Sequence, residues 1–168
     1  MKYFLRLSLL LFVLQSFLFQ SNYSQDIPSP KVGLSASLQD NQFDILVPIW
    51  LGSNLSIAPS IGLIWTQDAG SDLRIALVPR FYFSKSKVSP FLGGRIGLLR
   101  ATPSVGTGTT DWLLGLAMGG EYFLDNHFSF GIESQINLTI SDQNSSRFGN
   151  PGKKNLNTAT AIFATVYF

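Results

Sequence analysis

The chain has 168 residues and no cysteine, which excludes disulfide bridges and thiolate metal sites. Charged residues make up 13% of the chain and hydrophobic residues 45%, whereas a soluble domain has roughly a quarter of its residues charged. This composition excludes a disordered chain, and 15 Gly and 8 Pro residues exclude a long coiled coil, so much of the exterior is expected to face something other than water.

The N-terminal segment has the layout of a secretory signal peptide. Lys2 and Arg6 precede an apolar run that ends near Phe19, and a polar stretch follows. We predict that residues 1–24 are a cleavable signal peptide and that residues 25–30 form a short N-terminal segment. An uncleaved anchor is the alternative, but the run is more interrupted than the ~20 apolar residues of a spanning helix. Cleavage would leave ten basic and ten acidic residues, which gives no electrostatic reason to expect nucleic acid as a partner.

From residue 31 to the C-terminus, apolar and small or polar residues alternate with a period of two, as in strands with one apolar face. The predicted strands are 31–39, 43–51, 55–67, 72–84, 88–100, 111–123, 128–140 and 156–168. The predicted connections are short at 52–54, 85–87 and 124–127 and longer at 101–110 and 141–155. This pattern indicates an antiparallel up-and-down meander. Pro48, Pro59 and Pro79 lie inside predicted strands, and we expect bulges or local breaks there because proline cannot donate to a ladder.

The distribution of charge decides which side of the strands faces outward. The charged residues well inside the long strands all share the face of Gly, Ser, Ala and Thr; they are Arg74, Arg80, Arg95, Glu121 and Glu133. The opposite face carries Leu, Ile, Phe, Trp and Val, as a lipid-facing surface must, since Arg or Lys costs roughly 2–4 kcal/mol at the bilayer midplane. A membrane cannot satisfy an open sheet edge, so the strands must close. The sequence therefore predicts an all-β protein, an eight-stranded antiparallel transmembrane β-barrel over 31–168.

The five charged side chains are expected to form an ion-pair network in a narrow lumen. Charges of both signs inside such a barrel neutralise one another and plug it, which favours a structural role; the alternative is a narrow pore that opens and closes. Aromatic residues near the strand ends are expected to form an interfacial girdle or, alternatively, to pack in a core. They are Trp50, Trp65, Tyr82, Phe83, Trp112, Tyr122, Phe123, Phe128, Tyr167 and Phe168.

The C-terminal strand carries the most specific pattern, because Ile162, Ala164, Val166 and Phe168 alternate and the chain ends on Phe. With the segments 89–94 and 119–123, this resembles the small eight-stranded outer-membrane barrels of Gram-negative bacteria, the OmpA-like and OmpX-like barrel superfamily. The resemblance implies that Ile162, Val166 and Phe168 are an assembly signal read by the barrel-assembly machinery. It also implies location in the outer membrane far more firmly than any one activity.

The sequence offers little for catalysis. His127 is the single histidine and lies in a predicted tight turn, so a histidine-based zinc site or a Ser/His/Asp triad is not expected. Glu121 and Glu133 can be read as an acid/base pair, but inward-facing arginines make them better ion-pair partners. We predict no enzyme activity, no catalytic or metal site and no cofactor.

The longer loops are the candidate binding surface, since function on a rigid scaffold gathers on loops. The candidate residues are Arg147, Phe148, Lys153 and Lys154, and a merely solvated, variable loop is the alternative. The sequence thus predicts a monomeric outer-membrane barrel in contact with lipid, with a structural or surface-interaction role and an unknown extracellular ligand. Two alternatives stay open: a narrow, porin-like small-solute pore, and a secreted lipocalin-like carrier with the faces reversed around a hydrophobic ligand.

Overall fold

The computed structural model describes residues 32–40 and 42–168. The strands in this part of the chain are β1 (Gly33–Gln39), β2 (Gln42–Leu46), β3 (Ile49–Trp50), β4 (Leu55–Thr66), β5 (Gly70–Tyr82), β6 (Val88–Pro103), β7 (Thr109–Phe123), β8 (Phe128–Ile140) and β9 (Lys154–Tyr167). No helix in the described part is long and apolar enough to cross a membrane. The predicted signal peptide and the segment 25–30 lie outside the described residues.

The strands close into a barrel. All their pairings are antiparallel; β1 pairs with both β2 and β9, and from β4 to β9 each strand pairs with the next in the chain. β2 and β3 both pair with β4 and are two parts of one barrel strand. The predicted eight-stranded antiparallel barrel is therefore confirmed.

The prolines explain where the ladders are interrupted. Val47 and Pro48 separate β2 from β3, yet the Pro48 carbonyl still accepts from Gly33 N of the neighbouring β1 at 2.9 Å. Between β5 and β6, pairing at Leu77 stops and resumes at Arg80, so the ladder skips Pro79. A missing N–H thus removes pairing locally without opening the barrel.

The barrel has two ends, which we call the turn end and the loop end. The turn end carries the connections 51–54, 83–87 and 124–127 and the C-terminal Phe168. The loop end carries the connections 67–69, 104–108 and 141–153 and the turn after β1. The predicted loop 101–110 is shorter than expected, because β6 continues to Pro103 and β7 begins at Thr109.

Most apolar side chains of the strands point out of the barrel, and the charged side chains in the middle of the long strands point in. Leu63, Leu77 and Ile132 are 63%, 44% and 54% exposed, whereas the Glu121 and Glu133 residues are 0% and 3% exposed. A lipocalin-like carrier needs the reverse arrangement, with the apolar faces around a central ligand. The alternation in the sequence therefore places the polar face in the lumen.

The lumen at the turn end is filled by aromatic rings. Tyr82, Phe91 and Phe163 are buried together, and Trp50 packs on Tyr82 with ring centroids 4.6 Å apart. Gly131 faces inward beside them, where an added Cβ would lie 2.6 Å from a backbone carbonyl and collide with the Phe163 ring. Small inward residues therefore provide the space that large inward residues occupy.

Candidate functional site

The polar lumen is the candidate functional site, and a fully buried carboxylate lies near its turn end. Glu121 on β7 accepts hydrogen bonds from Tyr82 Oη at 2.5 Å, Ser129 Oγ at 2.5 Å and Tyr167 Oη at 2.8 Å. These donors come from β5, β8 and β9. Three hydroxyl donors satisfy a charge that would otherwise be very costly to bury.

Next along the lumen lies a buried ion pair between Arg80 and Glu133. Arg80 Nη2 donates to Glu133 Oε2 at 2.8 Å, and the guanidinium carbon lies 4.1 Å from the centre of the Phe163 ring. The second Glu133 oxygen accepts from Gln135 Nε2 at 2.6 Å, and Gln135 Oε1 in turn accepts from Asn137 Nδ2 at 3.1 Å. Side chains at alternate positions of β8 thus form a hydrogen-bonded row toward the loop end.

Asp44 is the centre of a third cluster. Arg74 Nη2 lies 3.0 Å from Asp44 Oδ1, and Arg95 Nη2 lies 3.4 Å from Asp44 Oδ2. Arg74 also donates to the Phe43 carbonyl at 3.1 Å. The inward Gly62 makes room for this cluster, since an added Cβ would lie 2.6 Å from Arg74 Nη2.

At the loop end, the segment 141–153 is fastened to the barrel wall by carboxylates. Asp111, which is fully buried, accepts from Asp142 N at 2.8 Å, Ser145 Oγ at 2.9 Å and Arg147 Nε at 3.2 Å. Arg147 Nη1 also lies 2.5 Å from Asp72 Oδ2 on β5. The loop therefore folds back, and Arg147 lies between two wall strands.

A closed barrel with a charged, hydrogen-bonded interior and an apolar exterior has the sidedness of a membrane barrel. Comparison with solved structures agrees. The neisserial surface protein A shares 18% identity with a TM-score of 0.55, covering 82% of this chain and 93% of that one. The N-terminal β-barrel domain of Pseudomonas aeruginosa OprF shares 9% identity with a TM-score of 0.59, covering 82% and 95%. The chain has the fold of the small outer-membrane β-barrels.

A weaker likeness is to Ail, the attachment invasion locus protein of Yersinia pestis, at 11% identity and a TM-score of 0.43 over 81% of this chain and 92% of that one. No protein-family model and no curated protein sequence matches the chain. The neisserial and OprF structures confirm the resemblance to small outer-membrane barrels for the fold.

The five charged residues predicted for the lumen of this outer-membrane barrel fold are all buried, but they lie in three clusters. Arg80 and Glu133 form one pair, whereas Arg74 and Arg95 share Asp44, and Glu121 binds hydroxyl groups. The described lumen also holds Asp72, Asp111 and Arg147. Among the described residues, no three His, Asp or Glu side chains lie close enough to hold a metal ion.

Several residues of these clusters were not among the sequence candidates. Asp44, Asp72 and Asp111 lie at or near the starts of the predicted strands 43–51, 72–84 and 111–123. The alternation of the strands predicts that all three face inward, because each lies an even number of positions from an inward-facing residue of its own strand. Their partners could not be found in this way, since Asp44 to Arg95 and Asp72 to Arg147 are contacts across the closed barrel.

Four aromatic residues predicted for the interfacial girdle face the lumen instead; they are Trp50, Tyr82, Phe123 and Tyr167. Position near a strand end suggested the girdle, but parity places each of them on the inward face. The outward aromatic residues Trp65, Phe83, Trp112 and Phe168 are exposed.

Only two of the four residues predicted for the loop surface are exposed in the structure. Arg147 is directed at Asp72 and Asp111, and Phe148 is half-buried at the mouth of the lumen, whereas Lys153 and Lys154 are exposed. The residues of the predicted assembly signal, Ile162, Val166 and Phe168, lie on the outward face of the C-terminal strand.

Proposed function

We propose that the chain is an integral protein of a bacterial outer membrane, with a structural or surface-interaction role through its loop end and no enzymatic activity. The observation that carries the proposal is the sidedness of the barrel. Leu, Ile and Phe face outward from strand to strand, while the buried ion pairs lie inside. In water this exterior would drive aggregation, whereas in a bilayer it is the surface that lipid requires.

The proposal includes a plugged lumen. The Tyr82, Phe91 and Phe163 rings and the Arg80–Glu133 pair occupy the cross-section near the turn end. Opposite charges in contact neutralise one another and hold their side chains in place. A narrow small-solute pore is the competing function, and it would require these groups to move aside.

The surface role is proposed for the loop end. The segment 141–153 is held against the wall by Asp111, while Lys153 and Lys154, where this segment ends and β9 begins, remain exposed. A loop with a fixed base and free charged side chains is suited to contact with a partner outside the cell. The similar neisserial barrel is itself named a surface protein.

The proposed partners follow from the same surfaces. Outer-membrane lipid covers the apolar band, and the barrel-assembly machinery reads the C-terminal strand through Ile162, Val166 and Phe168. A monomer is proposed because the barrel leaves no open edge for a second chain. The balanced charge gives no basis for nucleic-acid binding.

Fractionation of the expressing cells tests the proposal. The chain is expected to stay with the outer membrane after a carbonate wash, to need detergent for extraction and to migrate differently on a gel when unheated. Recovery in the soluble fraction would overturn the membrane assignment. In planar bilayers the purified chain is expected to be silent, and steady single-channel conductance would replace the plug with the pore.

A further inference from the structure

An apolar groove crosses the outer wall of the barrel. Its volume is about 620 Å³, and its lining is almost wholly apolar. We call it the outer groove and define it by three small outward residues and three large ones beside them: Ala36, Gly120, Ala164, Tyr122, Phe130 and Ile162. This volume lies within the range of about 300–1,000 Å³ of sites that hold a small organic ligand.

The small residues indent the wall. Ala36 pairs with Ala164 across β1 and β9, and Phe130 of β8 stands on the other side of Ala164. A Cβ added at Gly120 would meet nothing within 4 Å. Between apolar surfaces in a bilayer, packing rather than the hydrophobic effect decides what associates. A flexible apolar chain that lies in the groove touches protein below and beside it, and so gains more dispersion contacts than on a smooth wall.

The groove runs obliquely from the turn end toward the loop end. Val88, the first residue of β6, and Phe43, near the turn after β1, both line it. From β6 to β2 it crosses five strand spacings, which is about 24 Å at about 4.8 Å each. Barrel strands tilt by roughly 35–45°, so the groove climbs about 15 Å, the depth of one leaflet in a ~30 Å hydrocarbon core. Its length therefore suits one acyl chain of a lipid whose headgroup lies at the turn end.

A cation stands where the groove begins at the turn end. Lys87 is exposed and directly precedes Val88, and its Nζ lies 5.4 Å from the centre of the Tyr122 ring. In the part of the chain that the structure describes, Lys87 forms no ion pair. An ammonium group without a carboxylate partner at a membrane surface attracts phosphate. The outer groove thus joins an apolar channel to a positive charge at its headgroup end.

We propose that the outer groove binds one glycerophospholipid, with an acyl chain along the groove and the headgroup phosphate at Lys87. The inference rests on the proposed membrane function and deepens it by assigning one ordered lipid to one face of the barrel. A neutral diacylglycerol would fill the groove but leave Lys87 without a phosphate. A second copy of the chain presents a convex wall, which does not reach into a narrow indentation.

Native mass spectrometry of the full chain, purified in detergent micelles and titrated with phosphatidylethanolamine, tests this. One phospholipid per barrel is expected to stay bound, with diacylglycerol of the same acyl chains at least fivefold less occupied. Equal occupancy by the two lipids would overturn the phosphate contact. A barrel that retains no lipid, or a dimer without lipid, would overturn the site while leaving the membrane assignment intact, whereas recovery of the chain in the soluble fraction of cells would overturn both.

A pair of glycine variants tests the groove itself. Gly120→Leu fills it, so phospholipid occupancy should fall at least fivefold. Gly94→Leu is the matched control, because Gly94 pairs with the outward Leu116, lies outside the groove lining and has room for a Cβ at ordinary contact distance. If Gly120→Leu does not fold, as judged by its unheated gel mobility, Ala36→Leu replaces it. Unchanged occupancy in the folded groove variant, or an equal loss in Gly94→Leu, would refute the proposal.

A pair of lysine variants tests the headgroup contact. Lys87→Gln should lower phosphatidylethanolamine occupancy to that of diacylglycerol. Lys153→Gln removes the same charge from an exposed residue at the loop end and should leave occupancy unchanged. An equal loss in both variants would mean that general charge, rather than the outer groove, retains the lipid, and no loss in Lys87→Gln would remove the phosphate from Lys87.

Discussion

The two ends of the lumen solve the problem of buried charge in different ways. At the turn end, Glu121 is surrounded by hydroxyl donors, and Arg80 is paired with Glu133 and packed against aromatic rings. At the loop end, three arginines line a cavity and are paired with the carboxylates of Asp44, Asp72 and Asp111.

This difference indicates a division of roles along the barrel axis. A tightly packed interior leaves little room for a solute and makes the wall rigid. The turn end is therefore suited to stability. The loop end holds a cavity, so a change of side chain there should disturb less packing. Variants at each end should therefore affect different measurements.

Removing one charge at the turn end should have the largest effect. Glu133→Gln leaves the Arg80 guanidinium buried without its carboxylate, and breaking such a pair should lower the free energy of unfolding by about 3 kcal/mol. Urea unfolding in lipid vesicles, followed by gel mobility, measures this. Asp68→Asn in the exposed turn after β4 is the charge-matched control and should change little. A loss below about 1 kcal/mol would mean that the pair is not fully desolvated.

Gly131 and Gly120 lie on adjacent strands and test which face of the wall points into the lumen. Gly131→Ala directs a methyl group at the Phe163 ring, and such overpacking should cost about 1–3 kcal/mol. Gly120→Ala adds the same methyl group in open space on the outward face and should be nearly neutral. The same unfolding assay compares them. Equal losses from the two variants would contradict the assigned faces.

At the loop end, the expected effect is local. Asp111→Asn weakens the contacts to Ser145 and Arg147, so the loop 141–153 should open more often. Tryptic cleavage after Arg147 should accelerate by about tenfold, equivalent to about 1.4 kcal/mol of local stability. Asp40→Asn in the neighbouring turn is the control. The unheated gel mobility of the barrel should be unchanged, and a cleavage rate like that of the control would show that Asp111 does not hold the loop.

The smallest effect is expected in an exposed turn. The His127 and Phe128 amides donate to Asp125 Oδ1 at 2.7 Å and 2.8 Å, and these bonds lower the pKa of the Asp125 carboxyl below its usual range. Because the folded pKa is depressed, the stabilisation is present above the usual value of about 4 and is lost as the pH falls through the lowered pKa. Unfolding of wild type and Asp125→Asn should therefore differ slightly at pH 7 and converge in acid. A difference that persists unchanged in acid would point to a cause other than the carboxylate.

The architecture was predictable because alternation carries two kinds of information at once. Alternation with a period of two indicates strands. The confinement of mid-strand charge to one face indicates which face lines the lumen. Leu63, Leu77 and Ile132 are outward for that reason. The break at Pro48 was also predictable, since proline lacks the donor that a ladder requires.

The partners within the lumen were not predictable from the same pattern. Asp111 and Arg147 are 36 positions apart, and they meet because the loop folds back over the wall. Asp44 on β2 meets Arg95 on β6 across the interior, although β4 and β5 separate these strands in the wall. Tyr82 and Tyr167 take the alternative of core packing, which the parity of their positions favours and their nearness to a strand end does not reveal. Such contacts depend on the diameter and register of the closed barrel, which local sequence does not encode.

The bonds of Glu121 have a consequence for how the barrel comes apart. Tyr82, Glu121 and Tyr167 lie on β5, β7 and β9, which share no ladder with one another, so the carboxylate joins alternate strands across the interior. Peeling the last strand from the seam would remove one donor from a carboxylate that still has no access to water. Detachment of β9 is thereby coupled to destabilisation of β5 and β7. The barrel should therefore unfold in one cooperative step rather than strand by strand.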